Sequence, residues 1–412
     1  MAGIDTGDTA WMLASTALVM LMTPGLAFFY GGLVRRKNVL SIMMQCFMLM
    51  GVISIQWVLF GYSLAFGPDH AGVIGGLSFA GLNGVGLEPN PDYAATIPHQ
   101  LFVVFQMMFA VITPALIIGA FAERMKFSAF LVFSFLWATI VYDPMAHWVW
   151  GLGGFLRDWG TLDFAGGIVV HISAGMGALA AALLMGKRRG YPHDMSPPHN
   201  LPFAILGAAL LWFGWFGFNA GSALAADGLS VSAFFATHLS GAAATVAWAT
   251  VEWIRGRRPT ALGSISGAIA GLACITPASG FVSPLAAIII GVLAGLLCYV
   301  AVVVVKARLG YDDSLDCFGV HGVGGALGVL LVGFFATTAI NPAGADGLFY
   351  GAGRQLLLQL AAVAITAVYS FVLSYGLLKL VDKVIGLRVT QDQENIGLDL
   401  TQHRESAYTV VG

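Results

Sequence analysis

Charge is what this chain has least of. Only 10% of its 412 residues are Asp, Glu, Lys or Arg, where a soluble domain carries about 25%. A formal net charge of −2 supplies no basic face for a polyanion, so no nucleic-acid partner is expected. Cysteine is scarce too: there are four, of which Cys46, Cys274 and Cys298 lie in apolar runs and Cys317 at the edge of one. No pair can face an oxidising side and no C-x-x-C spacing occurs, so neither disulfides nor a thiolate metal site is expected. Nothing reads as a cofactor motif or an enzyme's nucleophile constellation. Residues 1–8 lack a basic region and a cleavable signal pattern, so either the first apolar run inserts unaided or a leader was removed.

What fills the chain is apolar: 58% of residues are hydrophobic. Runs of roughly 20 residues, enough to cross ~30 Å of hydrocarbon, recur from residue 9 to residue 386. Eleven spans are expected, near 9–33, 39–66, 99–122, 127–149, 164–186, 202–225, 231–254, 261–280, 282–306, 318–339 and 350–380. Basic residues test that number independently. Of the 19 Lys and Arg, all but Arg157 and Arg354 fall in the segments after odd-numbered spans or in the tail. The positive-inside rule then puts the N-terminus outside and the C-terminus in the cytoplasm. The expected class is an all-α membrane protein: one membrane domain over 1–386 and a polar cytoplasmic tail over 387–412. The Gly-rich loop after the second span is apolar enough to fold down onto the outer face.

Two titratable rings interrupt the apolar pattern. The motif D-x6-V-H-x3-G occurs as Asp163…Val170-His171…Gly175 and again as Asp313…Val320-His321…Gly325. Each copy opens a span, and five spans separate them, so they cross in opposite directions. That is the mark of an inverted-topology repeat with its site between the halves, about 9–186 and 202–339, plus a last helix near 350–380. Buried neutral histidines bridging two helices would satisfy the same pattern. The sharper alternative is two imidazoles meeting across the repeat axis, each with one donor and one acceptor, able to pass a proton or hold a polar solute. Asp163 and Asp313 read as helix caps or as carboxylates favoured by the helix dipole, and a cap also orients a pore helix. Glycine, 53 residues and often four apart, serves close helix packing where lipid gives no hydrophobic drive.

Aromatic residues gather around the same spans. Phe105 and Phe109 stand one turn apart in span 3, Trp150 ends span 4, and "WFGFNAGSA" in span 6 holds Trp215, Phe218 and Ser222. Singly, each suits a lipid-facing or interfacial position. Together they offer ring faces and a hydroxyl without an acid. Ring quadrupoles hold a small cation by ~0.5–2 kcal/mol, weakly enough for it to leave again.

These residues resemble the Amt/Mep/Rh ammonium transporter family, in its bacterial Amt branch, over essentially the whole chain. The resemblance rests on "PGLAFFYGGLVRRKNVL" (24–40), "AERMKFSA" (122–129), "DFAGGIVVHISAGMGAL" (163–179), "WFGFNAGSA" (215–223), "FGVHGVGG" (318–325) and "GLDLTQHRESAY" (397–408). It implies a homotrimer in the cytoplasmic (inner) membrane with one narrow pore per subunit. Trp150, Ser222, Phe105 and Phe109 would recruit ammonium, or its analogue methylammonium, at the outer mouth. Phe109 and Phe218 would form the gate, and His171, His321 and Trp215 would line the pore. Asp163 would be the structural carboxylate, and the tail a regulatory segment answering PII-type signalling proteins. Two departures stand out: Ile396 where many relatives carry an acid, and Arg404 where a glycine is common. The expected mechanism is deprotonation of NH4+ near the gate and passage of NH3, with the proton following the histidines or internal water. An ammonium sensor with little flux, and a haem-binding redox subunit using the histidine pair, are the alternatives from other classes.

Overall fold

A computed structural model describes residues 3–193, 196–256 and 258–408. Among the described residues, 10 helices are long and apolar enough to cross a membrane and one apolar helix is shorter. In chain order they are α1 (Thr6–Leu33), α2 (Arg36–Phe66), α3 (His99–Phe121), α4 (Phe127–Trp159), α5 (Gly167–Met185), α6 (Leu201–Ala223), α7 (Gly228–Gly256), the short α8 (Ala261–Ile275), α9 (Pro284–Leu309), α10 (Phe318–Phe335) and α11 (Gly353–Val384). The expected span over 261–280 is only partly helical. Its ladder stops at Ile275 because Pro277 has no N–H with which to continue it. The fourth helix, expected to end at 149, resumes after a turn at 151–154 and runs to Trp159.

Local chemistry fixes where several helices begin. The Asn200 side chain accepts the Phe203 N–H, Thr260 the Gly263 N–H and Ser283 the Ala286 N–H, with prolines in the first turns of α6 and α9. Between helices, glycine does the fitting. A Cβ on Gly207 of α6 would stand 2.1 Å from the Phe29 nitrogen of α1, and one on Gly32 would stand 2.5 Å from that of Ala204. The α1–α6 seam is therefore backbone against backbone. Gly207→Leu should destabilise the protein by at least ~2 kcal/mol through overpacking, read as a lowered melting temperature in detergent. Gly51→Leu, where no heavy atom lies within 4 Å, should stay within ~0.5 kcal/mol.

The loop over 67–98 folds as two short hairpins, Asp69–His70 with Ile74–Gly75 and Pro89–Asn90 with Ala94–Pro98. It packs down as its low polarity suggests: Ile97, Ala94 and Val85 are buried. The Tyr93 hydroxyl donates to Phe66 O at 3.0 Å, and His147 of α4 bonds Asp69 at 2.9 Å.

The tail is equally tied down on the opposite face. A short α12 (Gln391–Ile396) starts on a capping box formed by Thr390 and Gln393. Beyond it the Asp399 carboxylate accepts the Ser41 N–H in the first turn of α2 at 2.8 Å, and the Leu398 N–H donates to the Asn38 side chain at 2.8 Å. A carboxylate at a helix N-terminus is favoured by the dipole. Ile396 is 54% exposed, so an acid there would reach solvent rather than a partner. Arg404 adopts a left-handed backbone with φ 60°, which glycine takes freely and an L-residue takes at a cost of about 1 kcal/mol.

Candidate conduction pathway

Helices α5 and α10 are the two that carry the repeated motif, and both open on π-helical turns, Gly167–Ile172 and Phe318–Gly322. Such turns widen the helix and are frequent at functional sites. The Asp163 carboxylate organises the first turn: it accepts the N–H groups of Gly166, Gly167, Ile168 and Val169 at 2.9, 2.7, 2.7 and 3.3 Å. Gly166 sits at φ 115°, a conformation that lets the chain swing over the carboxylate. Asp313 plays a slighter version of this part, accepting the Phe318 N–H at 2.7 Å. The motif glycines hold the two turns together. A Cβ on Gly175 would lie 2.2 Å from Gly322 Cα, and one on Gly325 would lie 2.7 Å from His171 Cβ. Each glycine thus seats the other copy's histidine turn.

Three cavities lie in series around this junction. The first, of about 250 Å³, is lined by Phe109, Trp150, Ser222 and Gln106 among others. Trp150 is held by its indole N–H on Asp163 O at 3.0 Å, and Ser222 donates to Phe218 O at 2.8 Å, which leaves its oxygen lone pairs free. The floor of this cavity is the Phe109–Phe218 pair, with ring centroids 4.2 Å apart. Phe105 differs from its expected place: it is fully buried, meets Phe109 edge-on at 5.0 Å, and does not line the cavity. One turn before Phe109 on α3, it buttresses the ring that does.

Past the phenylalanines the space narrows to about 10 Å³, room for about one water-sized molecule. His171, Trp215, Phe218 and His321 line it together with Met22, Leu26, Ile112, Leu211 and other apolar residues. The two imidazole centroids are 5.3 Å apart and the rings nearly parallel at 17°. Trp215 stacks on His171 at 5.6 Å. Nε2 of His171 lies 3.3 Å from Thr276 Oγ1, which also accepts the Trp215 indole N–H at 2.9 Å. His321 continues into a third cavity of about 180 Å³ on the tail face, lined also by Tyr30, Arg188, Ser314 and Asp316.

Two buried carboxylates on the tail face are paired with arginines. Glu123 accepts from the Arg35 N–H at 2.7 Å and its guanidinium at 2.9 Å, and Arg188 grips Asp312 at 2.8 Å. Burial pushes both carboxyls up, but the Arg35 and Arg188 guanidinium groups outweigh it and hold them below their usual range. A depressed folded pKa means the stabilisation is complete above the unfolded value near ~4 and is lost as pH falls through the folded one. Limited proteolysis should therefore find the 187–193 segment, which carries Arg188, protected at pH 5 and released only below about pH 4.

Of the ten expected residues, Phe109, Trp150, Ser222, Phe218, His171, His321 and Trp215 line one or other of these cavities, Asp163 and Asp313 hold the turns before the histidines, and Phe105 does neither. Thr276 and Gln106 were not anticipated. A threonine before the proline that ends an apolar helix gives a weak signal, and Gln106 is hidden inside "LFVVFQMMF".

Membrane-length helices around two cavities, with a small, mostly apolar space between them, suit a membrane transporter or channel. The chain belongs to the Ammonium Transporter Family, whose model matches residues 10–408. It is 55% identical to an ammonium transporter of Bacillus subtilis (strain 168), covering 98% of this chain and 99% of that one. Among solved structures it resembles Saccharomyces cerevisiae Mep2 at 37% identity and TM-score 0.89, covering 95% and 89% of the two chains. A structure described as a sensor Amt protein is also similar, at 30% identity and TM-score 0.88, covering 96% and 98%. The protein is accordingly a multi-pass membrane protein of a transporter family, not of an enzyme family.

Proposed function

We propose that this protein moves ammonium nitrogen across the cytoplasmic membrane by recruiting NH4+, removing a proton and conducting NH3. The observation that carries this is the stacked histidine pair in an apolar space of about 10 Å³ directly beneath the Phe109–Phe218 pair. Taking an intact cation through such a space costs on the order of 20 kcal/mol by Born solvation. A neutral NH3 avoids that cost and keeps hydrogen-bond partners at His171 and His321.

In the first cavity, the faces of Phe109 and Trp150 and the Ser222 oxygen attract a compact cation that donates hydrogen bonds. Ammonium sheds water more readily than Na+, and hydrogen bonding distinguishes it from K+. Phe105 supports Phe109 from behind. Phe109 and Phe218 part to admit the solute, His171 and His321 carry the proton, and Trp215 fixes one wall.

The remaining features follow the same reading. Eleven spans arranged as a 5+5 inverted repeat with a final helix put the first cavity outside and the tail inside, in keeping with the basic-residue bias. Residues 1–386 form the membrane domain and 387–412 the regulatory tail, three subunits assemble, and a PII-type protein reads the tail face. An ammonium sensor is the second reading, favoured by the similarity to a solved sensor Amt protein. A porphyrin between the histidines has no space in a cavity of about 10 Å³.

Uptake of ammonium and methylammonium into proteoliposomes, with and without a membrane potential, tests the proposal. Saturable uptake well above that of empty liposomes is expected. Binding without uptake would leave the sensor.

A further inference from the structure

Thr276 stands at the end of α8, outside the repeated motif, yet among the described residues its hydroxyl is the one side-chain hydrogen-bond partner of the first histidine. Three groups surround Oγ1: Leu272 O at 2.8 Å, the Trp215 indole nitrogen at 2.9 Å and His171 Nε2 at 3.3 Å. A hydroxyl has one proton to give and two lone pairs to offer. The carbonyl can only accept, and it is the nearer acceptor, so it takes the proton. The indole can only donate and occupies one lone pair. The remaining lone pair faces His171 Nε2, and a lone pair there can be met only by an N–H. All the groups are buried, where two facing lone pairs would be costly.

Resting on the relay proposed above, we infer that Thr276 is a positioning residue that locks neutral His171 in the Nε2–H tautomer, leaving Nδ1 as its proton-accepting atom. Nδ1 of His171 is buried and finds no protein partner among the described residues. The same is true of Nδ1 of His321, on the ring 5.3 Å away. The lock gives the transfer a defined course. Ammonium gives one proton to Nδ1, forming NH3 and an imidazolium with both nitrogens protonated. Because Nε2–H remains on Thr276, His171 recovers its resting tautomer by passing that same Nδ1 proton to His321, whose imidazolium then releases its other ring proton toward the tail-face cavity, so that any tautomer exchange between turnovers falls on His321. Proton gain and loss use one nitrogen, so His171 needs no ring flip or tautomer exchange between turnovers. Trp215 belongs to the same device, since its indole occupies the lone pair that would otherwise let the threonine hydroxyl turn.

The test is nitrogen-15 magnetic resonance of ring-labelled histidine in the full-length protein in liposomes, assigned by comparison with His171→Ala. His171 is expected to show a protonated Nε2 and a bare Nδ1. A bare Nε2 in the native protein overturns the inference with no variant needed. Thr276→Val removes the hydroxyl at nearly constant shape and is expected to mix the tautomers and lower the ammonium-evoked current about tenfold. Thr276→Ser should restore both. Trp215→Phe frees the lone pair that the indole occupies and should mix the tautomers in part, less than Thr276→Val does. If His171→Ala removes the current while Thr276→Val leaves current and spectrum unchanged, the lock is wrong and the relay stands. If His171→Ala leaves the current intact, the relay itself fails.

Discussion

Replacing both His171 and His321 by alanine is expected to lower the ammonium-evoked current by at least ~100-fold, the lower range for losing positioned acid–base groups. The rings are nearly fully buried, stacked at 5.3 Å, and border a space otherwise lined by apolar side chains. With them gone, neither a proton nor a hydrogen-bonding neutral solute has a partner there, and water entering the enlarged space would admit other cations. The variant is therefore expected to lose discrimination against K+ along with its ammonium current. Bilayer currents from reconstituted protein, in ammonium and in potassium salts, give both numbers. A double variant with full and selective ammonium current would remove the histidines from the mechanism.

Asp163→Ala is expected to be as damaging for a different reason. Four backbone N–H groups converge on that one carboxylate at the mouth of α5. Leaving a buried donor unsatisfied costs ~1–3 kcal/mol each, so losing the acceptor puts several kcal/mol against a typical stability of ~5–15 kcal/mol. The turn that carries His171 and receives the Trp150 indole bond would lose its shape first. Little folded protein, and no current from what remains, should be seen by fluorescence-detected gel filtration followed by reconstitution. Asp163→Asn keeps one acceptor oxygen but turns an amide donor toward the others, so it should fall between. Asp313→Ala should be milder, because that carboxylate receives one such bond, from Phe318. An Asp163→Ala protein with native yield and current would show that the four bonds contribute little.

The sequence carried some of this plainly and some of it hardly at all. Ten of the span positions were legible because their apolar runs are long, while the eighth, over 261–280, is helical only to Ile275. The histidine pair was legible because the same eight-residue spacing appears twice, and the two rings do meet. The motif glycines were read as packing residues, but their reciprocal seating needed three dimensions: Gly325 against His171 and Gly175 against Gly322. What stayed hidden was rotation about each helix axis. α3 is apolar almost all round, and a helix without an amphipathic stripe gives no sign of which face lines a pore. Phe105 and Phe109 therefore looked equivalent, though only the second reaches the cavity. Thr276 was hidden for a related reason. Its partners come from α5 and α6, more than 60 residues earlier in each case, and nothing in "LACITP" announces them.

The departures in the tail show the same division. Arg404 was legible as unusual, but its left-handed backbone gives the physical reason for a glycine there. Asp399 and its neighbour Leu398 reach a helix end some 360 residues away in sequence, at Ser41 and Asn38 respectively, a contact no local pattern could supply.

Substituting D2O for H2O during current recordings addresses the separation of proton and ammonia most directly. If the proton leaves ammonium and travels through the imidazoles, the ammonium-evoked current should fall markedly in D2O, beyond the slight slowing expected of any ion in the heavier solvent. Equal normalised currents in the two solvents would mean that the ion crosses whole, and that the histidines only line its way.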